Sequence, residues 1–170
     1  MDTKSALLSQ YRATLQMLRR AIEAADEEIW TDPSYTNAFW HIAFHALFYT
    51  DFYLSRDEAS FVPWAKHREE YPFLGPLPWP PHRPPIIGEP YSRADLLEYE
   101  RRILEGLEER VLSDDLDSPS GFWWYPLKRL EFHMNNIRHT QHHAGQLIER
   151  IRQKRGIAVG WVGREDPEKT

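Results

Sequence analysis

A chain of 170 residues is long enough to form one domain with a hydrophobic core. The sequence is 41% hydrophobic and 28% charged, has a formal net charge of −5 and contains no long basic run. This balance argues against a nucleic-acid partner. The absence of cysteine excludes disulfide bonds, a thiolate nucleophile and cysteine-ligated zinc.

The most apolar stretch of the chain, residues 38–54, is interrupted by His41, His45 and Asp51. Such interruptions argue against a membrane-spanning helix. Residues 1–4 do not resemble a signal peptide. We therefore expect a cytoplasmic protein that has no membrane partner.

The first half of the sequence predicts two helices. Apolar residues recur every three or four positions along residues 3–25, which indicates an amphipathic helix, and residues 26–35 are expected to form a turn. A second helix is predicted over residues 36–55, with Ser34 or Thr36 as its N-cap. This helix is apolar nearly all round, so we expect it to be buried on several sides or to form a homodimer contact.

Residues 56–91 have a different composition, because they contain nine of the thirteen prolines. A long connection without helical or strand periodicity usually serves a structural or functional purpose. Here it predicts an ordered crossover arm that allows the second and third helices to run parallel, with a lid or a subunit contact as the alternatives. We expect Trp64, Phe73 and Trp79 to pack in this arm, although they could also form a pocket wall.

Two further helices are predicted after the arm. The third spans about residues 92–112, and Ser92 with Asp95 forms a capping-box pattern at its start. The fourth spans about residues 126–155 and is followed by Gly156, a residue typical of helix C-termini. Four such helices without strand alternation predict an all-α fold, a four-helix bundle.

The whole bundle is expected to form one domain over residues 1–160, followed by a C-terminal tail over residues 161–170. Neither segment shows an internal repeat.

The fourth predicted helix contains the most informative pair of residues, His139 and His143. Four residues correspond to about one helical turn, so both imidazoles lie on one face, where they could bind one metal ion. A zinc-protease motif is excluded because Thr140 follows the first histidine where that motif has Glu. A ferritin-like di-iron site is excluded because the sequence contains no Glu-x-x-His. What remains is a mononuclear site with a third ligand from the second helix, His41 or His45.

These motifs resemble those of the DinB/YfiT-like family of metal-dependent four-helix-bundle proteins. The family has a histidine in the second helix followed by an aromatic-rich turn, which matches His45 and residues 52–54 (Phe-Tyr-Leu). It also has a His-x-x-x-His in the last helix followed by Gly-Gln-Leu, which matches His139, His143 and residues 145–147. The resemblance covers about residues 5–155 and includes the long crossover between helices two and three.

The resemblance implies that His45, His139 and His143 are the metal ligands, with His41 as a substitute or a supporting residue. Three imidazoles without a carboxylate or a thiolate favour zinc, with nickel as a competitor, and leave one coordination position open. Some family members resemble thiol-dependent transferases. This kinship implies a small-molecule substrate and a low-molecular-weight thiol as cosubstrate.

Several polar residues have both a functional and a structural interpretation. Asn136, Gln146 and Asp51 could hydrogen-bond a ligand histidine, but each is more simply structural or exposed. The remaining histidines have no predicted ligand role. We expect His133 to be a hydrogen-bonded core residue, and we expect three histidines to be exposed, His67, His82 and His142.

The functional prediction is a metal-dependent enzyme that transfers a thiol to an electrophile. Metal-assisted hydrolysis is the second possibility. A bundle that binds a metal or an apolar ligand without turnover is the third. A positioned general acid or base would distinguish these alternatives, and the sequence nominates none.

Overall fold

The computed structural model describes residues 2–164, and within this range the chain forms helices and no strand. This confirms the predicted all-α class. The five helices, in chain order, are α1 (Thr3–Ala24), α2 (Glu27–Trp30), α3 (Phe39–Tyr53), α4 (Arg93–Ser113) and α5 (Arg129–Arg155). None of the helices in the described range combines the length and the apolar content needed to cross a membrane.

Local sequence signals account for several helix ends. Asp2 caps α1 by accepting a hydrogen bond from the backbone N–H of Ser5. Ser92 and Asp95 form the expected capping box at the start of α4. Gly156 ends α5 in the left-handed conformation, with φ of 67°, which a residue without Cβ adopts at little cost.

Three helix boundaries differ from the sequence prediction. The segment 26–35 was predicted to be a turn only, but it contains α2, whose first turn is capped by the Asp26 carboxylate. The helix predicted from residue 36 begins at Phe39, and its N-cap residue Ala38 makes no side-chain cap, so neither Ser34 nor Thr36 caps it.

The fourth predicted helix also begins later than expected, at Arg129 instead of residue 126. The preceding residues form a tight turn in which Pro119 bridges to Lys128 and the N–H of Ser120 donates to the carbonyl of Leu127. These contacts hold the backbone extended up to Lys128, so the helix cannot begin before it.

The long helices pack in pairs around a shared core. Helix α1 contacts α4 and α5, and α3 contacts the same two helices. Helix α3 is buried on several sides, as its apolar circumference predicted, with Phe39, Phe44 and Leu47 fully enclosed.

Residues 54–92 contain no helix or strand, yet this segment contributes buried aromatic rings. Tyr91 lies against Phe44 of α3, with ring centroids 4.7 Å apart, and Trp64 stacks on Tyr99 of α4 at 4.7 Å. Trp79 is 45% exposed and packs edge-on against Phe73. The segment is therefore anchored on α3 and α4 through its tyrosine and tryptophan rings.

The start of the predicted tail packs on the first helix. Val162 is buried, and the carbonyl of Gly163 accepts a hydrogen bond from Gln10. The rest of the predicted tail, residues 165–170, lies outside the described residues.

One buried carboxylate in α4 has an altered acidity. Arg19 donates to the Oε2 atom of Glu100 at 3.2 Å, while Oε1 is enclosed without a hydrogen-bond partner among the described residues. Burial raises the pKa of Glu100 to about 7. The folded protein therefore keeps a proton that the unfolded chain releases near pH 4.5.

This difference predicts how stability depends on pH. The free energy of unfolding falls as the pH rises from 4.5 to about 7, because the native state holds the extra proton in this window. Glu100→Gln removes this pH dependence of the free energy of unfolding. The variant should be more stable than wild type by about 1–3 kcal/mol at pH 8, with little difference at pH 5. Urea unfolding at both pH values measures this.

The matched control is Glu105→Gln, on the same helix, where the side chain is 71% exposed. It should leave the pH dependence unchanged. If the free energy of unfolding depended on pH equally in wild type and Glu100→Gln, the raised pKa of Glu100 would be contradicted.

Candidate metal centre

Three histidines from two helices come together beside the α3–α5 contact. His45 lies on α3, and His139 and His143 lie one turn apart on α5. One ring nitrogen from each lies within 4.8 Å of the others, an arrangement that could hold a metal ion. The structure thus brings together the three residues that the sequence motifs nominate.

The spacing of the His45 and His139 rings suits two ligands of a tetrahedral ion. The Nε2 atoms of His45 and His139 are 3.1 Å apart. Two nitrogens bound to zinc at tetrahedral angles lie about 3.3 Å apart, given a Zn–N distance of about 2.0–2.1 Å. Only small side-chain movements are therefore needed to bind an ion between them.

His41 is not part of this group. Its Nε2–H donates to the carbonyl of Tyr71 at 2.8 Å, and its ring stacks on Trp40. The alternative third ligand from α3 is therefore held by the segment between α3 and α4, which leaves His45 as the histidine of α3 that faces α5.

Hydrogen bonds on the far side of two rings set their tautomers. The Nδ1–H of His45 donates to the carbonyl of Pro72 at 2.5 Å, so its Nε2 carries a free lone pair. The Nδ1–H of His143 donates to Oε1 of Gln146 at 3.2 Å, which leaves Nε2 of that ring free as well. The sequence offered Gln146 as a possible supporting residue, and the structure places it in that position.

His139 lacks such a support. Its Nδ1 is buried without a hydrogen-bond partner among the described residues. Because Nε2 of His45 carries no proton, the 3.1 Å contact between the two rings needs either the proton of His139 or a cation between them.

All three rings are uncharged at neutral pH. Burial, with a smaller contribution from the neighbouring His143, lowers the pKa of His139 to about 4. Burial also lowers the pKa of His45, strongly, and that of His143. Neutral imidazole is the form that binds a metal.

Buried polar contacts fix how α3 meets α5 next to the histidines. The hydroxyl groups of Thr50 and Thr140 are 2.6 Å apart, and Asn136 donates to the carbonyl of Thr50 at 3.2 Å. Asn136 also donates to the hydroxyl of Tyr11, so it supports the helix packing and not a ligand. A shift of one helix along the other would leave these buried groups unpaired.

Two other polar residues that the sequence analysis considered have structural roles. Asp51 forms an ion pair with Arg110 at 2.7 Å and accepts a hydrogen bond from Tyr99. His133 accepts from the hydroxyl of Tyr11 and donates to Asp114, so the prediction of a hydrogen-bonded core histidine is confirmed.

The prediction of exposed histidines is confirmed in two cases and wrong in one. His82 and His142 are exposed. His67 is half-buried, because its ring stacks on Phe48 and Phe44 at 5.2 and 6.4 Å. Its place in a proline-rich segment suggested exposure, but the segment folds back onto α3.

Aromatic side chains line one side of the histidine group. Tyr49 contacts His45 and His139, with ring centroids 4.7 and 5.7 Å apart. Phe52 and Tyr53 continue this surface along α3. Tyr49 follows His45 by four residues, so helical spacing alone would have placed it beside the site.

Comparison of the chain with protein-family models, with curated proteins and with solved structures gives no match. The resemblance to the DinB/YfiT-like family therefore depends on the motifs themselves and stays a prediction.

The geometry predicts stoichiometric metal binding through these histidines. Wild-type protein should bind one divalent ion per chain. His139→Ala should weaken binding by at least about 100-fold, more than the loss expected from a supporting residue. Titration calorimetry with zinc measures this. His142→Ala, an exposed neighbour on the same helix, is the control and should bind as wild type. Equal affinities of the two variants would exclude the site.

A second variant tests the support of His143. Gln146→Leu removes the acceptor at Nδ1 and should weaken zinc binding about tenfold without unfolding the protein, because Gln146 is exposed. Gln153→Leu, which changes another exposed glutamine of α5, should leave the affinity unchanged. An unchanged affinity of Gln146→Leu would show that this hydrogen bond does not support the site.

Proposed function

We propose that the chain is a four-helix-bundle protein of the DinB/YfiT kind. In this proposal α1, α3, α4 and α5 form the bundle, and residues 54–92 are the crossover arm. The pairing of each of α1 and α3 with both α4 and α5 supports this arrangement. The positions of the family motifs also support it. His45 lies on α3, and His139 and His143 lie on the side of α5 that faces it.

We propose zinc as the resident metal, bound by His45, His139 and His143. Three neutral imidazoles with neither a thiolate nor a carboxylate suit zinc, and nickel is the competitor. Three protein ligands leave a coordination position open, which is typical of catalytic zinc sites. A fully structural site would have a fourth protein ligand, and the group within the described residues contains three members.

The function that this site supports best is transfer of a low-molecular-weight thiol to an electrophilic small molecule. The observation that carries it is the convergence of three neutral histidines beside a half-buried aromatic surface. A divalent ion held there would act as a Lewis acid that lowers the pKa of a coordinated thiol or water.

The surrounding residues fit a reaction on an apolar electrophile. Tyr49 and Phe52 provide ring faces against which such a molecule can pack. Burial raises the pKa of Tyr49 to about 12, so its hydroxyl stays protonated and can donate a hydrogen bond to substrate. His45 and His143 keep their free nitrogens oriented through their hydrogen bonds to Pro72 and Gln146.

A metal-binding protein without turnover is the second candidate. One observation favours it. A cavity of about 840 Å³ in this fold is lined by none of the three histidines, so a metal bound by them would not face that cavity. Hydrolysis at the same metal remains the other enzymatic alternative, with water in place of the thiol.

An activity assay separates these functions. Zinc-loaded protein should consume a thiol and an electrophile together, and removal of the metal with a chelator or His139→Ala should lower the rate at least about 100-fold. His142→Ala should retain the wild-type rate. A panel of small thiols with electrophiles, followed by thiol loss and product mass, measures this.

Each other outcome selects a rival. Electrophile or ester consumption that needs the metal but no thiol would indicate a hydrolase. Tight zinc binding without turnover across the panel would support the binding protein and contradict the transferase.

A further inference from the structure

Three tyrosines lie in a row beside the candidate metal centre. Tyr49 contacts His45 and His139, as described above, and its ring centroid is 5.3 Å from that of Tyr53. Tyr125, from the loop before α5, follows at 5.7 Å from Tyr53. We refer to Tyr49, Tyr53 and Tyr125 as the tyrosine group. It extends from the histidines to the loop before α5.

The tyrosines of the main core have hydrogen-bond partners within the protein. Tyr91, for example, donates to the carbonyl of Lys66 at 2.6 Å. A buried phenol usually has such a partner, because an unpaired hydroxyl that is shielded from water is costly. The buried tyrosines that form at least one hydrogen bond through the hydroxyl are Tyr11, Tyr71, Tyr91 and Tyr99.

The tyrosine group differs from these core residues. The hydroxyl of Tyr49 has no hydrogen-bond partner within the described range, and it is not enclosed, so a molecule from solvent can reach it. Tyr125 is half-buried as well. Tyr53 is 7% exposed, and the side chains that its hydroxyl can bond are those of Trp124 and Tyr125. The group therefore leaves donors unused at the surface beside the histidines.

The hydroxyls of the group lie close enough to interact with one another. Burial raises the pKa of Tyr53, and the hydroxyls of Tyr125 and Tyr49 add to this rise. Tyr53 is therefore a phenol and not a phenolate at neutral pH. With the indole N–H of Trp124, the group offers four donors and three acceptor oxygens.

The surroundings of the tyrosine group are apolar. Phe132 lies 4.9 Å from Tyr53 and 5.4 Å from Tyr125, measured between ring centroids. The half-buried rings of Phe52 and Trp124 stack at 6.3 Å. Among the described residues, no lysine or arginine contacts the rings of the group. An anion would therefore lose hydration there without a compensating side-chain charge, whereas an uncharged oxygen loses much less.

We propose that the tyrosine group binds an apolar molecule through an uncharged oxygen atom, such as that of a ketone, which accepts hydrogen bonds from Tyr49 and Tyr125. Phe52 and Trp124 provide ring faces for the apolar part of this molecule. The inference deepens the proposed function and rests on it for the statement that the bound molecule is the electrophile. Tyr49 and Tyr125 are then the residues that determine which electrophile binds.

Titration of the metal-free, full-length protein with 4-phenyl-2-butanone tests this binding. The NMR resonance of the Trp124 indole N–H, identified by its loss in Trp124→Phe, should shift saturably. Tyr49→Phe and Tyr125→Phe keep the rings but remove the hydroxyls. Each should weaken binding of the ketone about three- to tenfold, the effect of one neutral hydrogen bond, and should leave binding of propylbenzene, which has no oxygen, unchanged.

Tyr35→Phe is the matched control. Tyr35 lies outside the tyrosine group, under the guanidinium of Arg150 at 3.9 Å, so its variant should bind the ketone as wild type does. 4-Phenylbutyrate, of similar size but charged, should bind more weakly than the ketone. Circular dichroism confirms that each variant is folded.

Three results would overturn the proposal. They are no saturable shift with the ketone, wild-type affinity in both Tyr49→Phe and Tyr125→Phe, and tighter binding of 4-phenylbutyrate than of the ketone. Because the titration contains neither metal nor thiol, its failure leaves the proposed thiol transfer untouched. Conversely, intact ketone binding without thiol transfer would contradict the transferase and support the binding site.

Discussion

The contact between α3 and α5 is the interaction on which the histidine group depends. Each helix contributes a part of the group, and neither could hold a metal ion with three ligands alone. The buried hydroxyl pair of Thr50 and Thr140, with the amide of Asn136 on the backbone of α3, determines how far one helix is displaced along the other. A displacement by one turn, about 5.4 Å, would separate His45 from both histidines of α5.

The nonhelical segment after α3 has a second effect on the same group. Its backbone carbonyls at positions 71 and 72 accept hydrogen bonds from His41 and His45, respectively. The first bond holds His41 away from α5, and the second leaves Nε2 of His45 free to face it. A segment rich in proline suits this function, because a fixed backbone holds its carbonyls in place. The packing of Tyr91 and Tyr71 on α3 anchors the segment from which these carbonyls project.

The sequence predicted what depends on local pattern. Apolar periodicity located α1 and α4, the capping box located the start of α4, and a four-residue interval placed His139 and His143 on one face. The features it missed depend on contacts between distant residues. The carbonyl of Tyr71 decides the role of His41, and stacking on Phe48 buries His67.

The central claim is that three imidazoles bind one ion and leave part of its coordination sphere open. X-ray absorption spectroscopy of the zinc-loaded protein tests it most directly, since multiple scattering from imidazole rings counts histidine ligands. The account predicts three imidazole nitrogens at about 2.0–2.1 Å and one further light ligand that is not imidazole. Two or fewer imidazoles, or a sixfold shell of oxygen atoms, would contradict it.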